Sequence, residues 1–184
     1  MPITLSTPIP NLYNTTVGDF WAWAYSDMLS NVNRGVFAEF LVATALGVTE
    51  QPRIEWNAYD LLYKGKPIEV KTSAYRQSWP QSRPSRISFD VAAKRSWYAG
   101  TNTYSETLGR PAECYVFCLF AEPDLNKANV LDLTQWRFYV LPTTKLMELV
   151  GAQKTIGLRA LEKACSFTLY EKLRTSVDFV FGLD

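Results

Sequence analysis

Trp56-Asn57-Ala58-Tyr59-Asp60-Leu61-Leu62-Tyr63-Lys64-Gly65-Lys66-Pro67-Ile68-Glu69-Val70-Lys71 is the stretch on which the reading of this chain turns. It reads as a short strand, a turn at Lys64-Gly65-Lys66 and a second strand. Glu69 and Lys71 are two apart, so on a strand they share a face. A hairpin folded about Gly65 and Lys66 sets Asp60 roughly opposite Lys71, with Glu69 on the diagonal. Two carboxylates and an amine then converge at one spot on a sheet. That is the equipment for holding a divalent cation and activating a water against a phosphodiester. Ile68 and Val70 flank Glu69, which places the acid on a strand whose other face is apolar. An acid-x-lysine triplet by itself is common. The hairpin aspartate, a preceding helix with Glu39 and a basic segment behind it give this one weight over a surface salt-bridge patch.

The chain of 184 residues is 47% apolar and 20% charged, the composition of a folded globular protein. Its length suits a single domain over residues 1–184. The first twenty residues lack the pattern of a signal peptide, and no apolar run is long enough for a bilayer. Cys114, Cys118 and Cys165 make no metal-type or redox pair and read as free thiols in a reducing cytosol, so a cytoplasmic location is expected. The net charge is +1, but its distribution is uneven: residues 64–110 hold nine basic and three acidic groups, while residues 1–63 hold two and six. A polyanion would be drawn to the candidate site and to Arg76, Arg83, Arg86, Lys94, Arg95 and Arg110. The chain has no histidine. This excludes Ser-His-Asp and Cys-His catalysis and histidine-bound zinc or iron, leaving oxygen ligands, which favour magnesium or manganese, with calcium as an inert substitute. No glycine-rich phosphate loop is present, so no nucleotide cofactor is expected.

Residues 1–15 are rich in proline, threonine and asparagine and read as an irregular lead-in. A helix is expected from about Thr16, with Phe20, Trp21, Ala24, Tyr25 and Met28 as a core stripe rather than a platform for bases. Asn31-Val32-Asn33 reads as a break. A second helix follows from about Arg34 to Leu46, with Phe37, Phe40, Leu41, Thr44 and Ala45 as its apolar side and Gly47 as its stop. Glu39 lies among apolar residues in that helix, where a carboxylate is costly unless a cation faces it. Thr72 to Arg86 is a polar, proline-broken connection. Ile87 to Val91 alternates like a third strand, Ala92 to Tyr98 reads as a short helix, and Gly100 to Pro111 as a loop. Cys114 to Ala121 reads as a strand buried on both faces, Trp136 to Leu141 as another, and Thr143 to Val150 as a helix. Ile156 to Ala164 has helical spacing. Phe167 to Phe179 reads as a final helix that turns Leu169, Leu173 and Val177 inward. Together these suggest an α/β sandwich around a mixed sheet of about five strands.

Asp60, then eight residues, then Glu69-Val70-Lys71, with Glu39 on the preceding helix, resembles the PD-(D/E)XK nuclease superfamily. The likeness is close over residues 34–91, and Asn33-Arg34-Gly35 to Gln77-Ser78-Trp79 resembles an uncharacterised bacterial branch of it. Tyr59 stands where that motif often has proline. The resemblance implies a restriction-endonuclease-like three-layer sandwich and a metal-dependent nuclease acting on DNA. It implies Mg²⁺, with Mn²⁺ as substitute, held by Asp60, Glu69 and the Val70 carbonyl, with Glu39 on a second cation or a metal water. Lys71 would position the attacking water and offset developing negative charge. Ser73 and Gln77 lie just beyond the strand, and Arg76, Arg83 and Arg86 would neutralise flanking phosphates. A homodimer would suit cutting of both strands. The alternatives are a catalytically silent module of this fold that binds DNA or a protein, and an interaction protein using the aromatic helix around Trp21 and Trp23.

Overall fold

The computed structural model describes residues 3–183. Helix α1, Val17–Tyr25, opens on a capping box: Thr16 accepts from the Asp19 amide, and the Asp19 carboxylate accepts from the Thr16 amide at 2.7 Å. Helix α2, Asn31–Leu46, starts at Ser30, whose hydroxyl accepts from the Asn33 amide. The break therefore falls before Ser30, and Asn31 to Asn33, expected to interrupt the helix, form its first turn. Gly47, at φ 74°, ends α2 in the left-handed region as expected.

The central sheet has four strands in the order β1 (Leu61–Tyr63), β2 (Lys66–Ala74), β6 (Cys114–Phe120), β7 (Trp136–Pro142). It is mixed: β1–β2 and β6–β7 are antiparallel, and β2–β6 is parallel with Glu69 beside Tyr115 and Lys71 beside Phe117. All seven residues of β6 are buried, as a strand covered on both faces must be. One core holds Val70, Val116, Cys118, Trp136 and Phe138 against Ala38, Leu41 and Val42 of α2 and Leu173 and Val177 of α5 (Leu173–Phe181). The other holds Tyr115, Phe117, Leu119, Tyr139 and Leu141. It packs on α3 (Thr143–Val150) through Leu146 and Val150, on α4 (Leu158–Ala164) through Leu161, and on a small ribbon through Phe89 and Ile156.

That ribbon corrects the expected count of about five. Ile87 to Val91 contains β3, Ser88–Asp90, but it pairs with β8, Thr155–Gly157, and not with the central sheet. β2 runs on to Ala74 and so takes in Thr72 to Ala74, expected in the connection, and Ile156, assigned to a helix by spacing, supplies the partner of β3. The helix there begins only at Leu158. Ala92 to Tyr98 forms no helix. Its end is β4, Trp97–Tyr98, which pairs with β5, Thr103–Tyr104, inside the segment expected to be a plain loop. The final helix also starts later than expected. Thr168 exchanges both backbone hydrogen bonds with Phe138 at 3.0 and 2.7 Å, a 3₁₀ turn spans Tyr170–Lys172, and α5 follows. Leu173 and Val177 turn inward, whereas Leu169 is exposed.

The aromatic stripe of α1 is not core. No residue of α1 is buried, and Trp23 is 85% exposed. On α2 the buried stripe is Ala38, Leu41, Val42 and Leu46, rotated from the expected face so that Phe40 is 54% exposed and Thr44 lies outside. Small Ala38 lets the helix sit close on the sheet where a phenylalanine would not fit. Among the described residues no helix is long and apolar enough to cross a membrane. The three cysteines are free, and burial pushes the Cys114 thiol up to about 12.

Candidate active site

Lys64 at φ 48° and Gly65 at φ 78° close a two-residue turn of the kind that matches strand twist. Tyr63 therefore faces Lys66, Leu62 faces Pro67 and Leu61 faces Ile68. The register ends at Leu61 and Ile68, and because the turn comes one residue earlier than expected, Asp60 lies against the Ile68–Val70 part of β2 and not opposite Lys71. Glu69 and Lys71, two apart on β2, keep their shared face. The Asp60 amide donates to the Ile68 carbonyl at 3.1 Å, and the Asp60 carboxylate accepts from the Val70 amide at 2.7 Å. The aspartate is thus fixed to the strand that carries the second acid.

Glu69 is only 2% exposed, and its Oε1 receives Lys71 Nζ at 2.6 Å and Lys94 Nζ at 3.2 Å. Two ammonium groups on one buried carboxylate oxygen keep that charge satisfied in a place that would otherwise reject it. Burial works against the Lys71 ammonium, but the charge and hydrogen bond of Glu69, with Asp60 and Asp90 behind them, raise its pKa above the usual lysine value. For Asp60, burial and then the neighbouring charges of Glu69 and Glu39 push the carboxyl up to about 7. The Val70 amide and Lys71 only partly oppose this.

Glu39 faces the site from α2, but its carboxylate is taken by Arg53, which donates from Nε at 2.5 Å and from a second nitrogen at 3.0 Å. Among the described residues no group of three or more histidine, cysteine, aspartate or glutamate side chains is gathered for a metal. The expected set of Asp60, Glu69 and Glu39 is therefore not assembled as three. A pair of carboxylates is still what magnesium usually takes from a protein, with waters and substrate phosphate completing the shell. Burial first, and the charges of Glu69 and Glu39 second, lift Asp60, and a bound divalent cation would offset both, so the acidic pair is compatible with Mg²⁺. A cavity of about 280 Å³ lies beside Asp60, lined also by Glu39, Phe40 and Arg53 but not by Glu69.

The expected phosphate contacts divide. Ser73 shares the face of Glu69 and Lys71 on β2 and is half-buried. Arg83 and Arg86 are exposed and in no ion pair among the described residues. Arg76 donates to the Pro123 carbonyl. Gln77 is not presented to a phosphate at all. It is buried, its Oε1 accepts from both terminal nitrogens of Arg34 at 3.3 Å, and its amide group donates to the Ala74 carbonyl. Burial pulls the Arg34 guanidinium down to about 10, so its acceptors matter. Gln77→Leu is expected to lower stability by about 1–3 kcal/mol, read by urea denaturation, because it strips acceptors from a buried cation. An unchanged midpoint would mean that Leu29 and Asn31, the other acceptors of Arg34, suffice.

Two residues of the site carry no spacing signal. Lys94 is 25 positions beyond Glu69 and reaches it because its amide and carbonyl pair with Gly109 at 3.1 and 3.0 Å. Arg53 lies in the polar stretch before the hairpin. Only the basic excess of residues 64–110 hinted at Lys94.

The model of the bacteriophage T4 endonuclease IV family matches residues 23–153. The chain belongs to that family. The match takes in Glu39, Asp60, Glu69, Lys71 and Lys94, so the acidic pair and both its lysines lie within the region the family shares. Membership in a family of endonucleases supports a nuclease, a phosphodiester hydrolase cutting within a chain. No curated protein and no solved structure matches the sequence.

Proposed function

We propose that this chain is a Mg²⁺-dependent endonuclease acting on DNA, built on a PD-(D/E)XK site in a restriction-endonuclease-like sandwich. The observation that supports the proposal is the Asp60 carboxylate held by the Val70 amide at 2.7 Å, next to Glu69, whose Oε1 receives Lys71 Nζ at 2.6 Å. Family membership supports the reaction class, and the mixed sheet with helices on both faces is compatible with that fold. Asp60, Glu69 and the Val70 carbonyl would hold the metal, with Mn²⁺ as substitute, and Glu39 would join only on leaving Arg53. When bound, the metal supplies Lewis-acid polarisation of the phosphate and a more acidic water.

The chain's own groups do the rest. Lys71 keeps its proton, orients the attacking water and offsets negative charge that builds on the phosphate. Glu69 holds Lys71 in that position. Arg83 and Arg86, exposed beyond β2, neutralise flanking phosphates and give binding its salt dependence. A homodimer would bring two such sites to a duplex.

The test is supercoiled plasmid and linear duplex incubated in Mg²⁺, Mn²⁺ or EDTA with the wild type and Lys71→Ala. Nicking is expected with either metal, none in EDTA, and about 10²-fold less or lower still in Lys71→Ala. Cleavage that persists in EDTA, or at full rate in the variant, would sink the proposal.

A further inference from the structure

We infer that the cleft between Trp56 and Tyr104 is a nucleotide subsite, in which a substrate base stacks on the two rings while Lys94 takes an adjoining phosphate. The inference rests on the nuclease reading of Asp60 and Glu69 and adds where a neighbouring nucleotide sits. The cleft has a volume of about 270 Å³, and its lining includes Trp56, Asn57, Lys94, Arg95, Trp97 and Tyr104. Aromatic faces and two cations meet in it, with Trp56 four positions before Asp60.

Its walls are rigidly hung. Trp97 pairs with Tyr104 across β4–β5, Asn57 bridges to Trp97, and the Asn57 side chain accepts from the Ala99 amide at 3.3 Å. The rings themselves are left in water: Trp56 is 81% exposed and Tyr104 70%. Trp56 also sits at φ 69°, a region that bulky residues rarely enter. An exposed tryptophan held in a strained backbone contributes little to the core and is easily explained by a ligand. A base moved out of its stack offers the flat partner such rings take, whatever its identity.

Lys94 joins the cleft to the acidic pair. It lines the cleft, and its ammonium lies 3.2 Å from Glu69 Oε1, which Lys71 already holds at 2.6 Å. One lysine matches the charge of Glu69, so the second is surplus there. With its side chain about half exposed, Lys94 is placed to swing to a phosphate beside the cut.

Fluorescence anisotropy in EDTA tests this without any cleavage, using an end-labelled oligothymidylate and an abasic oligomer of the same length. Trp56→Gly and Tyr104→Ala should each bind the base-bearing oligomer about tenfold more weakly and the abasic one as the wild type does. Trp56→Gly relieves the positive φ, so its melting temperature should not fall, which separates lost stacking from lost folding. Lys94→Ala should weaken both oligomers and reduce the salt slope by about one. Trp23→Ala, on the exposed face of α1, should bind both oligomers as the wild type does. Wild-type affinity in Trp56→Gly and Tyr104→Ala, equal losses on the abasic oligomer, or no wild-type binding of either probe would overturn the subsite. Failure of the nuclease reading would instead appear as undiminished cutting by Lys71→Ala or cutting in EDTA.

Discussion

Asp60→Asn is expected to lower Mg²⁺-dependent nicking of plasmid DNA by about 10²- to 10³-fold or more while leaving the fold in place. Asparagine still offers an oxygen to the Val70 amide, the 2.7 Å bond that fixes this side chain to β2. What it removes is the charge, and with it half of the acidic pair that would hold the cation. The same change should not destabilise the metal-free protein, because the lost charge was penalised by burial and then repelled by Glu69 and Glu39. The pH dependence follows from the carboxyl's position at about 7 in the fold against 3.8 ordinarily. Below about 4 both folded and unfolded chains keep the proton, and the group contributes nothing. Between about 4 and about 7 the unfolded chain has released it and the folded one has not, so stability falls as pH rises. Above about 7 the full penalty stands. The melting temperature of Asp60→Asn relative to wild type, measured in EDTA, should therefore climb from pH 4 to pH 8. A variant that cuts at the wild-type rate would remove Asp60 from the chemistry.

Trp136→Ala should cost about 3–5 kcal/mol, much of the 5–15 kcal/mol that typically separates a folded domain from its unfolded chain. Trp136 is completely buried on β7, with ring centroids 5.4 Å from Phe120 and 6.2 Å from both Phe37 and Phe138. Its indole nitrogen donates to the Val130 carbonyl at 2.9 Å, so alanine opens a cavity and also strands a buried acceptor. Trp136→Phe should cost clearly less, since it keeps most of the ring volume. Urea midpoints of the two variants decide this, and a loss under about 1 kcal/mol in Trp136→Ala would mean that the core closes over the gap.

The sequence was most legible where local rules suffice. The β6 run of Cys114–Phe120 announced a doubly covered strand by being apolar throughout, and Gly47 marked the end of α2, whereas the hairpin turn lies at Lys64-Gly65, one residue before the Gly65-Lys66 expected. It was least legible where distant segments choose partners. Nothing in Ser88–Asp90 says that it will pair with Thr155–Gly157, and nothing around Thr168 says that it will be captured by the edge at Phe138. Periodicity also overstated the core: the aromatics of α1 recur at helical spacing yet lie exposed. At the candidate site, Glu69 and Lys71 could be placed on one face from spacing, whereas the position of Asp60 depends on a turn that falls one residue earlier than the sequence suggests. Lys94 and the Arg53 partner of Glu39 depend on how loops return, and no spacing records that.

Calorimetric titration of Mn²⁺ into the protein without DNA, beside Asp60→Asn and Glu69→Gln, tests the central claim most directly. The account predicts a saturable site in the wild type that is lost in both variants while their circular dichroism stays native. No binding by the wild type, or equal binding by Asp60→Asn, would contradict it.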